Sequence, residues 1–247
     1  MENKVLDQML NRYSVRAFLD KAIEPEVLDQ ITAAAQQAPN SINGQQISLI
    51  VIQDKERLSK LADLCGGQPQ IRTAAAFILV LADYNRAKTA IEMEGKEYGF
   101  GNSIEALVTG AVDAGITVQA LETAAGSFGV RSTVIGALRG NLQGVIDLCN
   151  IPTNAIPLVG LTMGYPDETK LSTVKPRINK AAYAYAEAYP ENIDFEPALR
   201  EYADTYKEFT DKAGFNETYA GKVAALYSTD NPGRDTKSVY KKQGFEV

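Results

Sequence analysis

The chain of 247 residues contains no histidine and only two cysteines. Without histidine, a Ser-His-Asp triad, a Cys-His pair and a histidine general base are all excluded. Cys65 and Cys149 lie far apart and have no Cys-x-x-Cys spacing, so we expect no metal site. Two cysteines in a chain of this length fit a reducing compartment, where both remain free thiols.

The chain also has little positive charge, with 25 Lys and Arg against 31 Asp and Glu and a formal net charge of −6. This balance argues against a general nucleic-acid or anionic-membrane binder, because both need a positive surface. The N-terminus lacks a basic run followed by an apolar core, and we find no stretch of about 18 uncharged apolar residues. We therefore expect a cytoplasmic protein that binds neither nucleic acid nor membrane.

The apolar content of 45% is enough for a sizeable core. We predict a single domain, 1–247, with a C-terminal arm from about 183 to 247. Apolar runs predict strands at 47–52, 74–82 and 157–166, and the second run is long enough to be covered on both faces. A long helix at 103–126 is apolar on several sides, so it is either the spine of a dimer interface or an internal core helix.

The first candidate site is the segment 12–16. If the segment is extended, Arg12, Ser14 and Arg16 point to one side, because side chains alternate along a strand. Two guanidinium groups and a hydroxyl on one line suit a phosphate, to which arginine donates two hydrogen bonds. The alternative is that both arginines are ordinary solvated surface residues.

Four further pieces are suited to a ligand. The loop 39–46 is rich in side-chain amides and precedes a strand, a common place for ligand contacts. The pair Gly66-Gly67 lets the backbone approach a ligand, with Gln68 beside it. Gly136 ends an apolar strand, and Lys175-Pro176-Arg177 is a second pair of cations suited to phosphate. Each piece by itself could also be a plain connection or turn.

Taken together, these motifs resemble the nitroreductase and flavin reductase family over nearly the whole chain. The chain is most similar to the oxygen-insensitive NADPH nitroreductases and NADPH-FMN oxidoreductases. The motifs that carry the resemblance are Arg12-x-Ser14-x-Arg16-x-Phe18, Gly66-Gly67-Gln68, Ile135-Gly136-x-Leu138-Arg139 and Lys175-Pro176-Arg177. The resemblance implies an α+β fold with a mixed, mainly antiparallel sheet flanked by helices, in an interlocked homodimer with FMN at the interface.

The resemblance also implies roles for single residues. The FMN phosphate would be held by Arg12, Ser14, Lys175 and Arg177, and Arg16 would lie near the pyrimidine edge of the flavin. Gln68 would meet the polar edge of the ring, and Asn40, Ser41 and Gln45 would reach it from the partner chain. The ring face would be covered by Val134, Ile135, Gly136 and Ala137, and the segment's own Tyr13 and Val15 would adjoin the cofactor. Tyr13 is a departure, because the family usually has a basic residue there.

The activity implied is that of an FMN-dependent NAD(P)H oxidoreductase. It would reduce nitro compounds, free flavin, quinones or similar small acceptors by ping-pong hydride transfer. Flavin N5 would carry the chemistry, so no catalytic side chain is required. Arg234 is a candidate for the NADPH 2′-phosphate, as are the tail lysines Lys241 and Lys242. The alternatives are a non-catalytic FMN-binding or flavin-storage protein and an anion-binding domain without flavin.

Overall fold

The structure is a computed structural model that describes residues 3–170, 173–229, 234 and 236–246. The chain divides into two compact units. The first unit is Met1–Leu171 together with Arg234–Val247, and the second is Ser172–Gly233. The single domain with an arm from about residue 183 stays a prediction, and each unit is described below by itself.

The first unit contains a sheet and most of the helices. The strands are β1 (Ile47–Ile52), β2 (Ala76–Asp83), β3 (Arg131–Ile135) and β4 (Ala155–Gly164). The helices are α1 (Lys4–Leu10), α2 (Pro25–Gln36), α3 (Lys55–Leu64), α4 (Pro69–Thr73), α5 (Asn85–Met93), α6 (Ile104–Ser127), α7 (Leu142–Cys149) and, from the chain's end, α10 (Lys237–Lys242).

Local signals explain where several helices begin. Pro25 lies in the first turn of α2, where the N–H that it lacks would have had no partner. Asp54 caps α3 by accepting the Arg57 N–H at 2.8 Å. Asn141 caps α7 by accepting the Gly144 N–H at 3.1 Å.

The four strands form one sheet in the order β1-β2-β4-β3, and each described pair is antiparallel. The mainly antiparallel character is thus confirmed, whereas the described residues contain no parallel pair that would make the sheet mixed. All residues of β2 except Asp83 are buried, as expected for a strand covered on both faces. Gly160 on β4 faces Phe77 so closely that a Cβ there would lie 2.1 Å from the ring.

Helices cover both faces of the sheet. Phe77, Leu79 and Leu81 of β2 pack with α3, α7 and the buried Phe245 near the chain end. Alternate residues of the same strand, Ile78 and Val80, pack with α2 and α6 on the opposite face. This period of two divides the apolar core into two layers.

Helix α6 lies against the sheet and against α2. A Cβ on Gly110 would lie 2.6 Å from Cβ of Ala82, so the small residue permits this close approach. By length and composition, α6 is the one helix among the described residues that could cross a membrane. Its buried face instead packs into the second core layer through Ala114, Val118, Leu121 and Ala125, as a core helix does.

The chain end returns to the first unit. Phe245 is buried with its ring centroid 6.1 Å from that of Tyr84, and the Gln243 amide donates to the carbonyl oxygens of Pro152 and Ala155 at 3.0 and 2.8 Å. The second unit contains α8 (Glu196–Lys212) and α9 (Tyr219–Tyr227).

Candidate functional site

The segment 12–18 has no regular secondary structure except an isolated bridge at Phe18, and it is held along β3. The Val15 N–H donates to the Ser132 carbonyl oxygen at 3.0 Å, and the Thr133 hydroxyl donates to the Val15 carbonyl oxygen. Val15 is buried, whereas Arg16 beside it is exposed. The predicted alternation is therefore present where β3 anchors the segment.

Arg12 is fixed by a carboxylate on α6. Its Nη2 lies 3.2 Å from Oε1 of Glu122, and the Ser132 hydroxyl donates to the same oxygen at 2.6 Å. The Glu122 side chain is 13% exposed and that of Arg12 is 33% exposed, so the pair is partly shielded from solvent. In the described part of the chain, Nη2 is the only Arg12 nitrogen with a partner, which leaves donors of the guanidinium for another anion.

Gln68 lies in the connection between α3 and α4. It precedes α4, and Ala74 at the other end of α4 packs with Val15, Phe18 and Tyr13. Gly66 and Gly67, before Gln68, have φ of 81° and 77°, a conformation that favours glycine, and a Cβ on either would meet nothing within 4 Å. The predicted glycine pair therefore forms an open turn between α3 and α4.

The end of β3 gives the third part of the site. Val134 is 40% exposed although its strand neighbours are buried, so it presents an apolar surface. At the following turn, the Arg234 Nη1 donates to the Gly136 carbonyl oxygen at 3.1 Å. Arg139 Nη1 donates to the Leu158 carbonyl oxygen at 2.8 Å and bounds the space beside Gly136.

The amide loop at 40–46 has an unusual backbone. Ile42, Asn43 and Gln45 have φ of 50°, 54° and 56°, in the left-handed region that non-glycine residues rarely adopt. The Gln45 N–H donates to Oδ1 of Asn40 at 3.0 Å, and Ile42 is 96% exposed. Such conformations cost about 1–3 kcal/mol each and persist only where the surroundings fix them.

Asp113 on α6 is the group that fixes this loop. It is 3% exposed, and its carboxylate accepts the Ser41 N–H at 3.2 Å and a hydrogen bond from the Gln46 side chain. Gln46 is itself buried. From α5, Arg86 Nε also donates to the Gln45 carbonyl oxygen, at 2.9 Å.

Within the first unit, the structure brings together only some of the predicted residues. The segment 12–16 is hydrogen-bonded to β3, and β3 leads directly into the turn 134–137. Gln68 lies at the other end of α4 from Ala74, which packs with Val15. In the amide loop, Ser41 is bonded to Asp113 and Gln45 is bonded to Asn40. Asp113 lies nine residues before Glu122, or about 13 Å along α6. Lys175 and Arg177 belong to the second unit, where both side chains are exposed.

No side chain of the site is an activated nucleophile. Cys65, which ends α3 beside the glycine turn, is buried, and this burial raises the pKa of its thiol to about 11. It is therefore a neutral thiol at physiological pH. The pKa of Cys149 is also raised, again mainly by burial.

Sequence reasoning missed Glu122 and Asp113, although both hold predicted site residues. The signal was present, because these two and Glu105 are the only charged residues of an otherwise apolar helix. An acid within an apolar helix must find a donor when it is buried. The missing information was which donor the fold supplies.

The family model for the nitroreductase family matches residues 9–165. The chain belongs to the nitroreductase family. It is 36% identical over 253 aligned residues to a Bacillus subtilis protein named FMN reductase NAD(P)H, with 99% of each chain covered.

Two solved structures are similar over their whole length. The hypothetical oxidoreductase YcnD from Bacillus subtilis has a TM-score of 0.94 and 35% identity, with coverage of 100% of this chain and 99% of the other. NADPH:FMN oxidoreductase from Vibrio harveyi complexed with NAD+ has a TM-score of 0.87 and 26% identity, with coverage of 98% and 99%.

The residues present fit a flavin mononucleotide in their chemistry. Arginine and serine side chains at 12–16 can donate to a phosphate. The exposed Val134 offers an apolar surface for a flat ring, and the open glycine turn before Gln68 leaves room near that residue.

We expect Asp113→Ala to lower the free energy of unfolding by about 1–3 kcal/mol, because the Ser41 N–H and the Gln46 amide lose a buried partner. Chemical denaturation of the flavin-free chain measures this change, and limited proteolysis measures the opening of the loop 40–46. Glu105→Ala is the control. Glu105 is exposed in the first turn of α6 and contributes less than about 1 kcal/mol to the free energy of unfolding. Equal effects of the two variants would contradict the anchoring role of Asp113.

Proposed function

We propose that this protein is an FMN-dependent NAD(P)H oxidoreductase that reduces nitro compounds, free flavin, quinones or similar small acceptors. The observation that carries the proposal is the family membership, together with likeness over 99% of both chains to an enzyme named FMN reductase NAD(P)H. The absence of histidine agrees with it, since a bound flavin supplies the redox chemistry.

The chain's own residues bind and orient the cofactor. For the phosphate we propose Arg12 and Ser14 of the first unit and Lys175 and Arg177 of the second. The support for Arg12 is that Glu122 holds one edge of its guanidinium, while the Ser132 hydroxyl holds that carboxylate in place. A donor held before binding loses less conformational entropy when it binds.

The remaining proposed contacts concern the ring. Val134, Ile135, Gly136 and Ala137 adjoin one face, Gln68 and Arg16 meet its polar edges, and Tyr13 and Val15 shape the segment beside it. The amide-loop residues Asn40, Ser41 and Gln45 are proposed to act on the partner's cofactor. Their fixed position at Asp113, about 13 Å along α6 from Glu122, supports a role outside their own chain's arginine segment.

A bound FMN would supply the hydride chemistry, with NAD(P)H as the donor and the acceptor reduced in a second binding event. The protein then need only exclude other reactions and keep the ring accessible. The neutral Cys65 thiol supports this division, because no side chain of the described site is poised for covalent catalysis. A cytoplasmic location remains the prediction of the sequence.

The visible spectrum of the purified protein tests this function. We expect flavin absorption bands that bleach when NADPH is added without oxygen and return when a quinone or nitro compound is added. Flavin that neither NADPH nor NADH bleaches would support the storage alternative instead. A colourless protein that cannot be reconstituted with FMN would disprove both.

We further propose that Arg234 contacts NADPH. Its support is that the side chain reaches Gly136, in the turn proposed for the ring face. Arg234→Ala should raise KM for NADPH about 5- to 50-fold and leave KM for NADH within about 2-fold, because only NADPH carries the 2′-phosphate. Steady-state kinetics with both donors measures this, and a parallel rise for both would refute the assignment.

We propose that the active form is a homodimer in which α6 contributes to the interface. Ile104, Val108 and Val112 follow one another at four-residue spacing and are 60%, 49% and 57% exposed. Such a row of apolar side chains on one helix face is suited to burial against another chain. A second copy is the occupant because the family resemblance implies a homodimer.

Val112→Glu should shift the protein from dimer to monomer, since a carboxylate would be buried without a partner at the interface. Sedimentation velocity of the holoprotein measures the shift. Met93→Glu is the matched control, because Met93 is 82% exposed on α5 and outside the α6 row. A Val112→Glu variant that sediments as the wild type would rule out this face.

A further inference from the structure

The second unit contains a cluster of four aromatic rings that joins α8 to α9. Its members are Tyr202, Tyr206, Phe209 and Tyr219. The ring of Tyr219 lies edge-on to that of Tyr202 at 4.9 Å between centroids and to that of Tyr206 at 6.0 Å. These are favourable edge-to-face arrangements, so the rings give the unit a defined interior.

The hydroxyl of Tyr206 closes one side of this cluster. It donates to Oε2 of Glu217 at 2.7 Å, and Lys222 Nζ lies 2.8 Å from the same oxygen. The pKa of Glu217 is lowered, first by the hydrogen bond from Lys222 and then by that from Tyr206, with a smaller contribution from the charge of Lys175. The Tyr206 hydroxyl thus stabilises the connection between the two helices.

The hydroxyl of Tyr202 has a different partner. It donates to the carbonyl oxygen of Pro176 at 3.3 Å. The same oxygen accepts a hydrogen bond from Nη1 of Arg177 at 3.0 Å, and this nitrogen also donates to the Lys175 carbonyl oxygen at 3.1 Å. One backbone carbonyl therefore links an aromatic side chain of α8 to the guanidinium of Arg177.

This link matters because Arg177 is exposed and long, and its side chain would otherwise sample many conformations. Both described hydrogen bonds of the guanidinium use Nη1, so Nε and Nη2 point to no described partner. Burial raises the pKa of Tyr202, and the positive charge of Arg177 opposes this rise, which places the cation near the ring. Two residues after Arg177, the Asn179 amide donates to Oε2 of Glu201 at 3.0 Å. Helix α8 therefore holds the stretch 176–179 at a second point.

We infer that Tyr202 is a positioning residue, which fixes the Pro176 carbonyl and through it orients Arg177 toward the FMN phosphate. The inference rests on the proposed function, in which Arg177 contacts that phosphate. The aromatic cluster then has a functional role, because through Tyr202 it holds a phosphate-binding cation in a fixed direction. Preorganised donors bind more tightly because less freedom is lost on binding.

The test compares the affinities of the flavin-free full-length chain for FMN and for riboflavin, which lacks the phosphate, by quenching of flavin fluorescence. Tyr202→Phe keeps the ring and removes only the hydroxyl. We expect it to weaken FMN binding about 3- to 10-fold and to change riboflavin binding less than about 2-fold, as for the loss of one hydrogen bond. Thermal melting shows whether the variant is folded.

Two further variants complete the design. Tyr219→Phe is the matched control, because its ring lies in the same cluster and its hydroxyl has no described hydrogen bond; we expect no change with either flavin. Arg177→Ala should lower the preference for FMN over riboflavin without abolishing it, because Arg12, Ser14 and Lys175 remain as the other proposed phosphate contacts.

The outcomes separate the inference from the proposed function. If Arg177→Ala lowers the preference for FMN and Tyr202→Phe does not, the positioning role is overturned and the proposed function stands. If Tyr202→Phe weakens both flavins equally, Tyr202 serves only the fold. If Arg177→Ala leaves the preference unchanged, the phosphate assignment fails and the inference fails with it.

Discussion

Two carboxylates on one helix hold the two segments of the first unit that carry most of the polar site residues. Asp113 holds the amide loop through the Ser41 N–H, and Glu122 holds Arg12 of the arginine segment. The helix is itself set closely against the sheet, because Gly110 leaves no Cβ between it and Ala82. The distance between the amide loop and the arginine segment is therefore set by α6. The positions of both depend on how α6 packs on the sheet.

The chemistry of the chain is that of binding and orientation. A nitroreductase family member without histidine, whose two thiols have raised pKa values, has few groups for proton transfer or covalent catalysis. Its arginines, amides and glycine turns are instead suited to hold a phosphate and a flat ring. The second unit also carries a group suited to bind a phosphate, Arg177. The aromatic cluster of α8 and α9 supports the backbone from which Arg177 extends.

The helices and strands that bury an apolar face followed from the sequence. The strand at 47–52 was predicted with its observed bounds, and the long helix at 103–126 differs by one residue at each end. Helix α5 was missed because its sequence is mostly polar and the structure buries none of its residues. Helix α10 was missed because it is a short basic run whose apolar residues, Val239 and Tyr240, find their partners only in the core cluster that contains Phe245.

By itself, the sequence determined the residue types of the site, the absence of histidine chemistry, the family, and the period-two burial of β2, since these depend on local pattern alone. Only the tertiary structure decided the partners. It paired Arg12 with Glu122 across 110 positions of the chain, set Arg234 at Gly136, and directed the Tyr202 hydroxyl to Pro176. Hydrogen-bond partners depend on distance and direction in space, and residues far apart in the chain acquire both only when the core has packed.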